Sequence, residues 1–194
     1  KLTEDIQKSL EKALTLTEVE DIYRPYKQKK RTRATIALEK GLKPLAEVIL
    51  SGEFKGDIKE EAKKYIDAEK KVIIEEDAIN GALDIIAEEV SDEAKYRKWI
   101  RNLVFREGKI ESKGNSEEHT PFEMYYEYSE DVFKIPPHRI LAINRGEKEK
   151  VLTVKITVNE DKIISYLEKE ILKGNNITDE YLKTAIKDSL KRLI

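Results

Sequence analysis

The sequence contains no cysteine. Disulfides, thiol catalysis, zinc fingers and iron–sulfur clusters are thereby excluded. Histidine is nearly missing as well: His119 and His138 are the only two, too few for a histidine-rich metal site. No apolar run approaches the roughly 20 residues that span a bilayer. No signal peptide is visible, and the first residue is Lys1 rather than Met. A phosphate-cradling GxxxxGK(S/T), a GxGxxG after a strand and a GxSxG elbow are all lacking. Net charge is also scarce, at only −2, so the chain as a whole has no basic field to draw in nucleic acid. The expectation is a soluble, cytoplasmic protein that is not an enzyme, holds no metal or cofactor, and has no membrane partner.

What the chain does have is charge of both signs. Lys and Arg number 37 and Asp and Glu 39, so 39% of its 194 residues are charged, against about 25% in an ordinary domain. The hydrophobic fraction, also 39%, suffices for a core, and its regular recurrence argues against disorder. The length fits one large domain or two small ones. The small net charge conceals segregation. Residues 24–33 carry Arg24, Lys27, Lys29, Lys30, Arg31 and Arg33 with no acid. Residues 117–131 carry Glu117, Glu118, Glu123, Glu127, Glu130 and Asp131 with no Lys or Arg.

Helical periodicity predicts a mainly α multihelical bundle with a small β element near residues 151–158. Ile6, Leu10, Ala13 and Leu14 form one face of a first helix, and Thr17 is placed to cap a second that Pro25 ends. Helices follow over 34–40, closed by Gly41, and from Pro44 to Gly52. Apolar stripes mark further helices over 57–72 and 77–90, with Ser91 capping the next, which carries Trp99. Pro136 and Pro137 open a helix through Ile143, with a break at Gly146. Leu152, Val154, Ile156 and Val158 alternate with polar residues as a strand. A strand needs a partner for its backbone, and Lys109–Ser112 is the candidate. Two helices finish the chain, over 160–173 and, capped by Thr178, over 179–194. The last keeps its period to the final residue, which reads as a fragment cut at both ends.

Carboxylate pairs such as Glu88/Glu89 and Glu75/Glu76/Asp77 read as solvated helix faces with lysine neighbours, rather than as a Mg²⁺-dependent phosphodiesterase site. The stretch YRPYKQKKRTR has two readings. Its six cations track a phosphate backbone while Tyr23 and Tyr26 stack on bases. Otherwise the tyrosines are core and the cations form a solvated turn or pair with acidic neighbours, the 117–131 segment among them. Residues 24–52 have a helix-turn-helix-like outline, but Pro44, Leu45 and Glu47 stand where base-reading groups belong. In IPPHRILAINRGEKE, Arg139, Arg145 and Lys148 either bind phosphate or lock their helix to acidic segments, and their spacing favours the lock.

Three segments carry a family resemblance: DIYRPYKQKKRTRATIALEKGLKPLAEVIL (21–50), NGALDIIAEEVSDEAKYRKWIR (80–101) and IPPHRILAINRGEKEKVLTVKI (135–156). In order and spacing they resemble the bacterial Tex family of transcription accessory proteins. The resemblance implies that 1–194 is the family's N-terminal helical region, truncated at both ends. In the family a YqgF-type RNase-H-like domain, helix–hairpin–helix modules and an OB-fold RNA-binding barrel follow. It further implies nucleic acid, RNA or DNA, as a partner mainly through those other modules, together with RNA polymerase or elongation factors. It names no catalytic residues here. The family commonly has Gly where this chain has Lys150, which implies a somewhat different bend into the strand. The resulting expectation is a scaffold or interaction region. Its alternative is an autonomous DNA- or RNA-binding domain using 24–33.

Overall fold

The computed structural model describes residues 3–27, 31–116, 118–174 and 177–193. The chain divides into two compact units, Lys1–Lys98 with Lys162–Ile194, and Trp99–Asp161.

The first unit is helical. Its elements are α1 (Glu4–Glu11), α2 (Leu16–Tyr23), a 3-10 turn at Arg24–Tyr26, α3 (Arg33–Glu39), α4 (Lys43–Ser51), α5 (Ile58–Ala62) and α6 (Glu75–Asp92). The start of α7 (Ala94–Glu107), most of α9 (Glu160–Ile171) and α10 (Asp179–Leu193) complete it. Helix α6 is the axis. It buries Ala78, Ala82, Ile85, Ile86, Ala87 and Val90 on more than one face, so other helices surround it instead of covering one side. Helices α3, α4, α5 and α10 pack against it. The buried Leu182, Ala185, Ile186 and Leu190 of α10 repeat at helical spacing. Each of the buried leucine and isoleucine side chains contributes roughly 1.5–3 kcal/mol by leaving water. Gly41 and Gly52 end α3 and α4 in the left-handed region, as their positions in the sequence predict.

Four boundaries differ from the sequence expectation, each for a local reason. Helix α2 is capped by Thr15, not Thr17. Thr15 accepts from the Glu18 amide, and the Glu18 carboxylate accepts from Leu14 N at 2.8 Å, a reciprocal cap that the later threonine does not make. Ser91 caps nothing: it lies inside α6, where its hydroxyl donates to the Glu88 carbonyl. The helix expected over 57–72 stops at Ala62. Asp67 accepts from the amides of Glu69 and Lys70, and this local bonding closes a turn, with Lys71 at φ 58°, in place of helical bonds. Thr178 precedes α10 fully buried, but its hydroxyl has no hydrogen-bond partner among the described residues.

The second unit is a three-stranded antiparallel sheet with a helix on one face. Strands β1 (Lys109–Gly114), β2 (Glu127–Asp131) and β3 (Leu152–Thr157) lie in the order β2-β1-β3. The expected partnership of β1 with β3 holds, with Ile110 opposite Ile156. The third strand, β2, lies within the acidic, aromatic stretch and pairs Ser112 with Tyr128. Helix α8 (Pro137–Lys148) contributes Ile143 to a core with Ile110, Phe122, Tyr125, Ile135 and Leu152. Gly146 does not break α8. It is buried where the helix meets the sheet, and a Cβ there would come within 2.7 Å of Leu152 Cδ1 and 3.1 Å of Phe122 Cδ1.

Lys150 turns the chain from α8 into β3 at φ 60°, the left-handed backbone that glycine adopts without strain. Asn115 Nδ2 donates to its carbonyl at 2.8 Å and holds it there. Replacing Lys150 by Gly is therefore expected to stabilise the protein by about 1 kcal/mol. The check is the melting temperature followed by circular dichroism, and a lower value than that of the parent would refute the strain.

Candidate nucleic-acid interface

The arginines of the basic segment each meet a carboxylate, although their side chains stay 46%, 71% and 62% exposed at Arg24, Arg31 and Arg33. Arg24, in the 3-10 turn, donates through Nε to Asp92 Oδ1 at 3.1 Å. Arg31 donates to Glu39 Oε2 at 3.1 Å, an exposed pair. Arg33 opens α3 and meets Asp188 of α10 through both carboxylate oxygens, at 3.0 and 2.8 Å, and Asp84 of α6 at 3.2 Å. Lys27 is exposed. Lys29 and Lys30 lie outside the described residues. Thr32 and Thr35 exchange backbone and side-chain bonds to cap α3, which sets Arg33 on the helix face toward α6 and α10.

Arg33 shares its carboxylates with Arg192, whose guanidinium stands 2.7 Å from Asp188, 3.6 Å from Asp84 and 3.6 Å from Glu88. The hydrogen bonds to Asp188 raise the Arg33 pKa further, with the nearby Asp84 charge adding to them. Burial pushes Asp84 above the usual carboxylate range despite Arg33 and Arg192. At Asp188, burial acts in the same direction, but hydrogen bonds from Arg33 and Arg192 outweigh it and the carboxyl is held low. The network ties α3, α6 and α10 together.

The tyrosines behave otherwise. Tyr23 and Tyr26 are 56% and 61% exposed, so they are not the core residues that one reading of the sequence makes them. The three arginines of that same reading do find acidic neighbours, though these are Asp92, Glu39, Asp84 and Asp188. Of the acids of 117–131, Glu123, Glu130 and Asp131 bond within their own unit. Glu130 accepts from Arg139 at 2.9 Å and from the Tyr128 hydroxyl, and these two bonds lower its pKa. Asp131 pairs with Lys134 at 2.6 Å, Glu123 with His119; Glu117 is outside the described residues. Arg139 thus locks α8 to β2, as its spacing suggests, while Arg145 pairs with Glu149 on the surface at 2.8 Å.

Sequence reasoning took the carboxylates of α6 that it named for solvated faces and did not single out Asp84 or Asp92. Glu88 is not a solvated face: its side chain is 15% exposed and pairs with Arg192. Burial raises the pKa of Glu89. The signal available was position, since Asp84, Glu88 and Asp92 flank the apolar stripe of α6 at intervals of four. In the other acidic cluster, Asp77 accepts from the amides of Ile73 and Ile74 at the start of α6. Among the described residues no group of three or more His, Asp or Glu is arranged to hold a metal ion, and no helix is long and apolar enough to cross a membrane.

Residues 54–191 match the family model described as Tex central region-like. The chain belongs to the Tex family. The Bacillus subtilis protein YdcI is 48% identical over the whole of this chain, which covers 28% of that protein. The transcriptional accessory protein Tex of Neisseria gonorrhoeae is 34% identical over 83% of the chain, and 21% of its own length is covered. The human S1 RNA-binding domain-containing protein 1 is 31% identical over 82% of the chain, covering 17% of that protein. The chain thus spans about a fifth to a quarter of the length of its bacterial Tex relatives.

Proposed function

We propose that this Tex-family chain is a helical scaffold and interaction region of a transcription accessory protein. In this reading it works in the cytoplasm, has no catalysis of its own, and serves a protein that associates with nucleic acid, RNA polymerase or elongation factors. One observation carries it: Arg24, Arg31 and Arg33 each engage a carboxylate of their own fold. Cations already paired release fewer counterions from a phosphate backbone, so this segment adds little affinity. The names of the Neisseria and human relatives, a transcriptional accessory protein and an S1 RNA-binding domain-containing protein, support the wider setting.

A second reading is an autonomous DNA- or RNA-binding domain. The exposure of Tyr23 and Tyr26 beside Lys27 favours it, because such rings are open to base stacking. A titration of fluorescent single-stranded RNA and duplex DNA between ~50 and ~200 mM salt separates the two. The scaffold reading expects weak binding whose logarithmic salt slope is shallower than about −2. Engagement of the whole segment 24–33 gives a slope near −4 to −5, which Lys29→Ala with Lys30→Ala makes shallower by roughly 1.5. That steeper outcome would overturn the scaffold reading. Mg²⁺-dependent cleavage of either nucleic acid by the purified chain would overturn the non-catalytic part.

A further inference from the structure

The sheet of the Trp99–Asp161 unit has two free edges, because β1 lies between β2 and β3 and no fourth strand joins them among the described residues. The ladder fixes which backbone groups each edge displays. The Val132 amide donates to the Gly108 carbonyl and the Gly114 amide to the Tyr126 carbonyl, so the even-numbered residues of β1 turn to β2. On the other side the Asn115 amide donates to the Val151 carbonyl. With Lys113 opposite Thr153 and Glu111 opposite Lys155, the odd-numbered residues of β1 and β3 bond each other. Leu152, Val154 and Ile156 therefore point their N–H and C=O groups outward, repeating every ~6.8 Å along the edge. On β2 the outward residues include Glu127 and Ser129.

The two edges are protected to different degrees. A free edge is a template for pairing with another chain, and proteins block it with charge, proline, bulges or very short strands. Edge β2 carries Glu127, Glu130 and Asp131 and no cation. Edge β3 has no proline and no acid, and its register with β1 runs unbroken over six residue pairs. Its one charge is drawn away from the edge, since Lys155 Nζ pairs with Glu111 of β1 at 3.0 Å. Thr157 donates to the same carboxylate at 3.0 Å, and Thr153 donates to Asn115 Oδ1 at 2.6 Å. All three polar side chains of β3 thus reach inward over the sheet, and the charge of Lys155 is matched there by Glu111. On the opposite face Val154 packs half-buried against the core. Ile156, across from the buried Ile110, is 44% exposed.

We propose that the free edge of β3 takes up an extended segment of a partner protein as a fourth strand, one with β-branched apolar residues at alternate positions and no net charge. Its backbone pairs with the outward groups of Leu152, Val154 and Ile156. Its apolar side chains lie beside Val154 and Ile156 and extend the covered face of the sheet. The pairing of Lys155 with Glu111 leaves a charged strand nothing to neutralise, and β3 offers a nucleic-acid backbone one cation that is already matched. A second copy of the chain, pairing antiparallel through its own β3, sets Lys155 opposite or diagonal to the same lysine, which like charge disfavours. The inference deepens the reading of this chain as an interaction region and rests on it. The nucleic-acid titration tests that reading and a peptide titration tests this one, so each fails separately.

The probe is a fluorescein-labelled peptide of alternating valine and threonine in a Gly/Ser background. Two further forms carry N-methyl groups, one on every valine amide and the other on every threonine amide. Only one of those sets faces β3. Fluorescence anisotropy with the 194-residue chain is therefore expected to show one methylated form bound about tenfold more weakly than the parent peptide and the other nearly unchanged. Ile156→Pro removes an outward donor without breaking a bond to β1, and should weaken the parent peptide about tenfold. Ser129→Pro makes the same change on the β2 edge and should leave binding unaffected. Amide spectra report that each variant is folded. Saturating peptide should also slow hydrogen exchange at the Val154 and Ile156 amides about tenfold. Equal binding of the two methylated forms, loss with Ser129→Pro in place of Ile156→Pro, or unaltered exchange at Val154 and Ile156 would each overturn the proposal. So would a dimer in sedimentation that protects those amides without peptide, because the edge would then serve a second copy.

Discussion

Replacing Gly146 by valine is expected to destabilise the Trp99–Asp161 unit by about 3 kcal/mol, a large part of the stability of a small domain. Glycine in a helix interior ordinarily costs about 1 kcal/mol relative to alanine, so alanine would stabilise an open site. Here the added Cβ meets Leu152 Cδ1 at 2.7 Å and Cγ at 2.9 Å, with Phe122 Cδ1 at 3.1 Å behind them. Neither neighbour has free space, because Leu152 and Phe122 are both buried in the cluster around Ile143. Leu152 is further held by its strand, which pairs with β1 along six residue pairs. Overpacking of this kind forces side chains off their rotamers or moves the backbone. Alanine should therefore cost about 1 kcal/mol net, and valine more because its branches enter the same space. Urea unfolding followed through Trp99, the single tryptophan, measures both. An alanine variant more stable than the parent would mean that α8 and β3 separate without cost.

Arg192→Met should cost about 2 kcal/mol at neutral pH, between the small value of an exposed pair and the 3–5 kcal/mol of a fully buried one. Methionine keeps much of the apolar stem, so the loss reports the charge. Three carboxylates lose a cation: Asp188 at 2.7 Å and Asp84 and Glu88 at 3.6 Å. The pH dependence follows from the direction of each shift. Asp188 has a lowered pKa in the folded protein, so it contributes stability above its unfolded pKa near 3.9 and loses it as pH falls through the folded value. Asp84 has a raised pKa, so its charged form costs stability at neutral pH, and protonation on acidification relieves that cost. Removing Arg192 raises both carboxyls. The difference between parent and variant should thus be largest near pH 7 and shrink to less than about 1 kcal/mol at pH 4. Equal differences at the two pH values would show that lost packing, not charge, is what Arg192→Met removes.

The elements most easily read from the sequence are those whose cause is local. Strand β3 shows its alternation over Leu152, Val154 and Ile156, and α10 shows its stripe over Leu182, Ala185, Ile186 and Leu190. Strand β2 was hidden because Tyr128 is the only large apolar residue in Glu127–Asp131. Its pairing with β1, not its own pattern, makes it a strand. The cap of α2 was ambiguous because Thr15-x-x-Glu18 and Thr17-x-x-Glu20 offer the same motif two residues apart. Glu18 reaching both Leu14 N and Lys98 distinguishes them.

The candidate interface divides in the same way. A basic run at 24–33 is visible in any reading of the chain, as is the choice between phosphate and carboxylate as its partner. The carboxylates themselves were not visible, because Arg33 meets Asp188 across 155 positions and Arg24 meets Asp92 across 68. No local pattern encodes such distances.

By itself the sequence determined a helical protein with one small sheet, without thiol chemistry, and with Tex-family segments in order. Periodicity, turn residues and composition act over a few positions, so these can be read without a structure. Only the tertiary structure decided which charges meet. Packing α3 and α10 against α6 turns three arginines toward acids from distant parts of the chain, while Tyr23, Tyr26 and Glu89 keep their surfaces open. That division arises because ion pairing depends on which helix faces come together, and burial of the apolar stripes sets those faces.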